Sequence, residues 1–264
     1  MAIFTKNSPA EQPNAMEFLP KWAKTYFRIL FRILPFLGVV YMAGQIHLAV
    51  SAYLGAHPNQ EIIFELIIAL WFILSGTILY GVESMGMRNP NYWRHLELYS
   101  LALFIIALNP ILTATAIDKD LNFQNLLRHL STGTWEEAAF RGFFLAACLS
   151  FTKTRFSLFG ILIIGIFFGL WHFDQDPAVI VYKCCLGFTF AAIAIRTNTI
   201  VPLMVIHATH NGLLEVLNSD GLSKIALVSV GLLTLVVCFS HIKTTWTDFA
   251  KLAHSRSSLA HKKH

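Results

Sequence analysis

Eight apolar segments, each about as long as a helix that crosses a bilayer, follow one another along this 264-residue chain. A spanning helix needs about 20 mainly apolar residues, and its own hydrogen bonds satisfy every backbone polar group in the membrane. With 55% hydrophobic and 13% charged residues, the chain is too apolar for an ordinary soluble domain. The sequence therefore predicts an all-α fold, a polytopic membrane helix bundle. The predicted spans are 34–56, 62–82, 96–117, 133–151, 158–173, 178–195, 200–217 and 222–242.

Polar or basic segments flank these spans at both ends of the chain. Residues 1–15 are polar, and residues 16–33 interleave lysine and arginine with aromatic and aliphatic residues, a pattern typical of interfacial amphipathic helices. We expect 1–33 to form a polar leader and an interfacial helix. We expect 34–242 to form a single membrane domain, and 243–264 a basic cytoplasmic tail.

The distribution of basic residues between the predicted loops supports this count of spans. Fifteen Lys and Arg residues fall on the side of the two termini and three on the opposite side, and Arg141 and Lys183 lie inside spans. Cytoplasmic loops of membrane proteins are enriched in basic residues, so we expect cytoplasmic termini and, in a bacterium, the inner membrane as the location. The net charge of +5 then reflects topology, and no nucleic-acid partner is expected.

Two adjacent carboxylates and an arginine interrupt the fourth predicted span. Ionisable groups at such a depth cost roughly 2.5 to 3.5 kcal/mol each to insert, and they usually mark functional sites in which each charge has a partner. Glu137 and Arg141 are four residues apart, so they share one helix face, where an ion pair offsets their burial. Glu136 is left without a local partner. We expect Glu137 and Arg141 to hold each other and Glu136 to be the reactive group.

Two later spans carry histidines that the predicted topology places near Glu136. His172 lies near the end of the fifth span, and His207 and Asn211 share a face of the seventh. All of these residues are predicted in the outer half of the membrane, where a water-filled cavity can join them. A carboxylate and a histidine flanking a water can act as base and acid, while a histidine and an amide can stabilise an oxyanion. These are the groups that hydrolysis of a peptide bond requires.

Three short motifs follow one another on three predicted helices. They are Glu136-Glu137-x-x-x-Arg141, Phe168-x-x-x-His172 and His207-x-x-x-Asn211. This set resembles the motifs of the CPBP family of intramembrane proteases, which includes the type II CAAX prenyl endopeptidases and the bacterial Abi bacteriocin-processing and self-immunity proteins. The resemblance covers about 133–211, which we take as the catalytic core.

The resemblance implies a CAAX-type, glutamate-dependent peptide hydrolase with four catalytic residues. Glu136 and His172 would activate the attacking water, and His207 and Asn211 would stabilise the oxyanion of the tetrahedral intermediate. The residues expected to support the site are Glu137, Arg141 and Phe168.

Two histidines and a glutamate also raise the question of a metal ion. Zinc takes such ligands and keeps a water in its open position. No His-Glu-x-x-His run occurs in the chain, and Glu136 would have to act as both ligand and base. We expect neither a metal nor another cofactor. Should zinc bind, the candidate ligands are Glu136, His172 and His207.

The predicted outer position of the site bears on the substrate and on the alternatives. We expect a membrane-tethered or translocated peptide or protein, as a C-terminal tail or a peptide precursor, with or without a lipid modification. One alternative is a non-catalytic membrane immunity or interaction protein that keeps the polar core for structure. Another is a transporter, although the sequence has no paired repeat. Lys183, in the sixth span, keeps that alternative open.

Overall fold

The computed structural model describes residues 20–55, 57, 59–87, 92–115, 122–152, 157–217 and 222–261. The regular elements in these ranges are helices, and their order agrees with the predicted spans. The polar leader predicted at 1–15 lies outside the described residues. The helices are α1 (Lys21–Leu54), α2 (Gln60–Tyr80), α3 (Leu96–Leu112), α4 (Phe123–Glu137), α5 (Leu145–Thr152), α6 (Ser157–Leu170), α7 (Pro177–Thr197), α8 (Val201–Val216) and α9 (Lys224–His261).

One continuous helical segment contains the predicted fourth span and part of the loop before it. α4 begins after Asn122, whose side chain accepts a hydrogen bond of 3.0 Å from the backbone N–H of Asn125. The chain then passes through π-helical turns at Ala138–Phe144 into α5. Residues 123–132, which lie between the predicted spans 96–117 and 133–151, therefore form the first part of α4. Single π-helical turns are frequent at functional sites, and here they directly follow the two adjacent glutamates.

The first and last helices extend beyond the predicted spans. α1 continues through Pro35 without a break, so the predicted interfacial segment and the first span form one helix of 34 residues. α9 has 38 residues and includes most of the predicted basic tail. At about 1.5 Å per residue, both helices are longer than the roughly 30 Å hydrocarbon core of a bilayer.

The helices have the length, composition and exposed surfaces of a membrane protein. Large aliphatic and aromatic side chains are exposed along α1, α2 and α9, as expected for surfaces that face lipid. The segments long and apolar enough to cross a membrane are Leu34–Leu54, Gln60–Tyr80, Trp93–Leu112 and Pro177–Thr197. Shorter apolar helices are Leu158–Leu170 and Lys224–Ser240. The chain is an integral membrane protein with an all-α helix bundle.

A close contact at Gly133 brings α4 against α8. A Cβ atom at this position would lie 2.7 Å from the amide nitrogen of Ala208 and 2.9 Å from the carbonyl oxygen of Met204. Small residues at such contacts let membrane helices approach until their backbones almost touch. The two glutamates, one turn after Gly133, therefore lie against the turn of α8 that carries His207.

A second close contact joins α6 to α7. A Cβ atom at Gly187 would lie 2.8 Å from the Cα of Gly165 and 3.1 Å from the Cβ of Phe168. The absence of side chains at both glycines lets the two helices pack closely. Phe168 and, one turn later, His172 are thereby held beside α7.

Candidate active site

Two carboxylates and one histidine form the centre of a buried polar cluster between α4 and α8. The Nδ1 atom of His207 lies 2.9 Å from Oε1 of Glu137, and its Nε2 atom lies 3.3 Å from Oε2 of Glu136. His207, Glu137 and Glu136 are 3%, 0% and 7% exposed. Since the Glu137 oxygen accepts, Nδ1 donates the proton in this contact. His207 thus bridges both glutamates. The sequence placed His207 among the expected partners of Glu136, together with His172 and Asn211.

Arg141 is held by one glutamate and three aromatic rings. Its Nη1 atom donates to Oε1 of Glu137 at 2.9 Å, and both side chains are fully buried. Its Cζ atom lies 4.2, 5.3 and 5.9 Å from the ring centroids of Phe168, Phe190 and Phe140. Aromatic ring faces attract a guanidinium group, most strongly where water is excluded. The ion pair expected from the spacing is present, and Phe168 packs against its cation.

Two carboxylate oxygens of the cluster have no hydrogen-bond partner among the described residues. These atoms are Oε2 of Glu136 and Oε2 of Glu137. The approach of His207 to Glu136 is within ion-pair distance without forming a hydrogen bond. Leaving a buried polar group unsatisfied costs about 1–3 kcal/mol, so such groups are uncommon in folded proteins. Their presence here is suited to binding a water or a polar group of a substrate.

His172 lies at the edge of the same cluster. Its Nδ1 atom is 2.9 Å from the backbone carbonyl oxygen of Phe168. A carbonyl can only accept, so Nδ1 carries the proton and the Nε2 atom of the neutral ring is an acceptor. In the part of the chain that the structure describes, His172 makes no direct hydrogen bond with Glu136. Its ring lies 5.2 Å from the ring of Phe168, which lies 6.0 Å from the ring of His207.

Asn211 and His210 are neighbours on α8 with different surroundings. Asn211 lies one turn after His207, is half-buried, and makes no side-chain hydrogen bond with the described residues. The Nδ1 atom of His210 donates to the carbonyl oxygen of Ile106 at 3.0 Å, and its ring packs against Tyr182. The Asn211 amide is therefore available to a substrate, while His210 is bound to α3.

Glu65 of α2 belongs to this region, although the sequence analysis did not identify it. Its Oε1 atom accepts a hydrogen bond of 2.7 Å from Thr132, and its Oε2 atom accepts one from Ser131. Both donors lie on α4, about one turn before Glu136. Glu65 is the single carboxylate of the predicted span 62–82, in a helix of mean hydropathy 2.4, and this was the available signal. Glu65 ties α2 to the turn that presents Glu136.

A second polar cluster lies between the first half of α4 and the end of α8. Glu215 receives hydrogen bonds from Asn125 (2.6 Å) and Arg128 (2.8 Å) and contacts the ring of His129. We call these four residues the outer cluster. No role was predicted for the outer cluster from the sequence, although His207, Asn211 and Glu215 follow one another at four-residue steps on α8.

The donor atoms of the buried cluster do not form a ready zinc site. Both ring nitrogens of His207 face carboxylates, and Nδ1 of His172 faces a carbonyl oxygen. No group of three His, Cys, Asp or Glu side chains within the described ranges is arranged to hold a metal ion. Independence from metal stays a prediction, and the reaction proposed below uses protein groups alone.

Comparison with known proteins points to one family. A family profile described as Type II CAAX prenyl endopeptidase Rce1-like matches residues 120–213, just over a third of the chain. This segment contains all three motifs and the buried cluster. No curated protein and no solved structure matches the chain. Residues 120–213 are therefore similar to the type II CAAX prenyl endopeptidase Rce1-like family, which agrees with the resemblance that the motifs indicated.

Proposed function

We propose that the chain is an intramembrane endopeptidase that hydrolyses a peptide bond in a membrane-tethered or translocated substrate, either a C-terminal tail or a peptide precursor. One observation carries this proposal. His207 contacts both Glu136 and Glu137 in a buried site, and each carboxylate keeps an oxygen without a hydrogen bond among the described residues. This cluster lies within the segment that matches the family.

In the proposed reaction, Glu136 and His172 bind the attacking water. The Nε2 atom of His172 accepts one hydrogen bond from the water because Nδ1 is protonated, and Oε2 of Glu136 accepts the other. As the water oxygen attacks the carbonyl carbon, Glu136 takes its proton. Glu136 then donates this proton to the leaving amine nitrogen as the C–N bond breaks, which regenerates the carboxylate.

His207 and Asn211 stabilise the negative charge on the carbonyl oxygen. The Asn211 amide donates one hydrogen bond. His207 donates the other from Nε2 in its imidazolium form, in which Nδ1–H stays on Glu137 and Nε2 carries the second proton. A pre-positioned donor of this kind contributes about 2.7–4 kcal/mol to the transition state. Glu137 orients His207 through Nδ1, and Arg141 in turn fixes Glu137.

Glu136→Gln and His172→Ala are the variants that test this function, with Glu97→Gln as a matched control. Glu97 is an exposed carboxylate in the first turn of α3. The purified proteins, in lipid vesicles, are incubated with a library of membrane-tethered tails and precursor peptides, and mass spectrometry identifies the products. We expect both site variants to lose about 100-fold or more in cleavage rate because each removes an acid-base group. Glu97→Gln should cleave like the wild type.

Cleavage by Glu136→Gln at the wild-type rate would refute the assignment. A different result would favour the non-catalytic alternative. If the wild type cleaves nothing while its protection of cells against a peptide toxin survives Glu136→Gln, the protein acts as an immunity factor.

The proposed location is a bacterial inner membrane, with cytoplasmic termini and the site in the outer half. The charge distribution between loops supports this orientation. Single cysteines replace Phe123 and Trp93, which are 74% and 79% exposed, in a cysteine-free background. In intact cells, a membrane-impermeant maleimide should label the cysteine at 123, while the one at 93 should react only after lysis. The reverse pattern would assign the site, and its substrates, to the cytoplasmic side.

A further inference from the structure

Lys183 is a charged residue that the proposed reaction leaves unused. It lies in α7, a helix with a mean hydropathy of 2.1, and its side chain is half-buried. Among the described residues, no carboxylate lies within ion-pair distance of its ammonium group and no side chain accepts a hydrogen bond from it. A lysine at such depth is costly to a membrane protein and normally has a functional partner.

The packing of α6 against α7 places Lys183 beside the catalytic histidine. A Cβ atom at Gly169 would lie 2.9 Å from the amide nitrogen of Cys184. The backbone of Lys183, one residue earlier, is therefore adjacent to the turn that leads from α6 to His172. The backbone N–H of His172 donates to the carbonyl oxygen of Gly169 at 3.0 Å, so His172 and Lys183 lie on adjoining turns of the two segments.

The register of α7 also directs Lys183 towards the cluster. Lys183, Gly187 and Phe190 are separated by four and three residues, so they share one helix face. At one end of this face, the ring of Phe190 lies 6.0 Å from the ring of His207. At the other end, Lys183 lies one turn before Gly187, next to the position where Gly169 approaches the backbone of Cys184.

The other cation of the site is already paired with a carboxylate. Nη1 of Arg141 donates to Glu137 at 2.9 Å and the guanidinium packs against aromatic rings, although its buried Nε and Nη2 atoms have no hydrogen-bond partner among the described residues. Lys183 has three N–H donors and no acceptor for them among the described residues. Charges interact far more strongly in a cavity poor in water than in bulk solvent. A carboxylate brought by the substrate would complement this cation, and a peptide carries carboxylates at its C-terminus and on Asp and Glu side chains.

We infer that Lys183 binds a carboxylate of the peptide substrate and so selects substrates with an acidic group near the scissile bond. This inference deepens the proposed endopeptidase function and rests on it. Lys183 would act as a specificity residue, separate from the water-activating pair. The two sources of the carboxylate, the chain terminus and an acidic side chain, are distinguished by the choice of peptides.

The test compares matched peptides for binding and for cleavage. Each tail and precursor peptide of the library, cleaved or not, is made with a free C-terminus and as the C-terminal amide, and any Asp or Glu is replaced separately by Asn or Gln. Affinities are measured by fluorescence anisotropy on the uncleaving Glu136→Gln protein, with and without Lys183→Met. Cleavage rates are measured on three proteins that retain Glu136, which are the wild type, Lys183→Met and Lys183→Arg. Lys243→Met, at the other end of the bundle, is the matched control.

With Lys183 present, one carboxylate should improve binding and lower KM by about tenfold or more, as expected for a hydrogen bond to a charged group. In Lys183→Met, the ratio of the affinities for the acidic peptide and its neutral analogue should be close to one. Lys183→Arg and Lys243→Met should still prefer the acidic peptide. Weaker binding of the C-terminal amide would show that Lys183 binds the carboxylate of the peptide terminus. Weaker binding of the Asn or Gln peptide would show that it binds the acidic side chain.

Equal binding of acidic and neutral peptides to the protein that retains Lys183 would overturn the inference, whatever the cleavage result. A preference that persists in Lys183→Met would overturn it as well. The binding assay needs no turnover, so it tests the role of Lys183 independently of the protease function. Cleavage that survives Glu136→Gln would refute the proposed catalytic assignment and leave the binding result unaffected.

Discussion

The outer cluster and the buried site lie between the same two helices, yet they treat their carboxylates differently. In the outer cluster, both oxygens of Glu215 are bound. Asn125 donates to Oε1, while Arg128 donates to Oε2 and His129 contacts the same atom. Arg128 and Glu215 are also partly exposed, so water reaches their charges.

In the buried site, Glu136 and Glu137 each keep one oxygen without a hydrogen bond from the described residues. Glu65 on α2 resembles Glu215 in this respect, because α4 hydroxyl groups bind both of its oxygens. This difference separates the carboxylates that join two helices from those that can take part in a reaction. Being within a membrane helix does not by itself identify a reactive glutamate. The two classes differ in whether both carboxylate oxygens are hydrogen-bonded, and in the buried site Glu137 is also paired with Arg141, so Glu136 is the one of these four carboxylates left for chemistry.

Breaking the buried ion pair should have the largest effect on stability. Arg141→Met removes the cation that Glu137 contacts at 2.9 Å and leaves a buried carboxylate uncompensated. Removing one partner of a buried pair costs about 3–5 kcal/mol. Unfolding in detergent, followed by circular dichroism, measures this loss. The double variant Glu137→Gln/Arg141→Met should be more stable than Arg141→Met alone. Equal instability of the two would show that the uncompensated charge is not the cause.

Separating the two helices should disturb both polar clusters to a lesser degree. In Gly133→Ala the new methyl group would meet the amide nitrogen of Ala208 at 2.7 Å, so the helices must move apart. Overpacking of this kind costs about 1–3 kcal/mol, and the cleavage rate should fall because Glu136 moves away from His207. Gly231→Ala on α9, where a Cβ meets nothing within 4 Å, is the control and should be at least as stable as the wild type. Wild-type stability and cleavage in Gly133→Ala would contradict the close contact.

Neutralising the outer cluster should lower stability while sparing the chemistry. Glu215→Gln weakens the contacts with Arg128 and His129 and should cost about 1 kcal/mol, the net value of a typical hydrogen bond, because water screens this partly exposed pair. The cleavage rate per folded molecule should stay within about twofold of the wild type, in contrast to Glu136→Gln. Thermal unfolding and cleavage assays on the same preparation measure both quantities. A folded Glu215→Gln protein without activity would remove the distinction between the two clusters.

Metal removal should have the smallest effect. His207 turns both ring nitrogens towards carboxylates, so we expect purified active protein to contain less than stoichiometric zinc. A chelator should leave its cleavage rate unchanged. Elemental analysis and a chelator titration check this prediction. One equivalent of zinc, with activity that depends on it, would show that Glu136 acts as a metal ligand.

The sequence by itself predicted the helices and the local pairs of this protein. The spans follow from hydropathy because bilayer thickness sets the length of a crossing helix. The Glu137–Arg141 pair follows from a four-residue step, which places both side chains on one helix face. The three motifs located the family segment, and its profile matches residues 120–213. Each of these inferences uses residues that are close together in the chain or a pattern read along it.

Only the tertiary structure decided which carboxylates are saturated. His207 and Glu137 are 70 residues apart, and Glu215 and Asn125 are 90 apart. Their contacts depend on how closely α4 approaches α8, which backbone packing at Gly133 permits. Hydrophobic periodicity determines which segments enter the membrane, but it carries little information about the rotation and depth of one helix against another. Those two quantities leave Glu136 with an oxygen that no described residue hydrogen-bonds, beside His207, and they bring the end of α6 against the turn of α7 that contains Lys183.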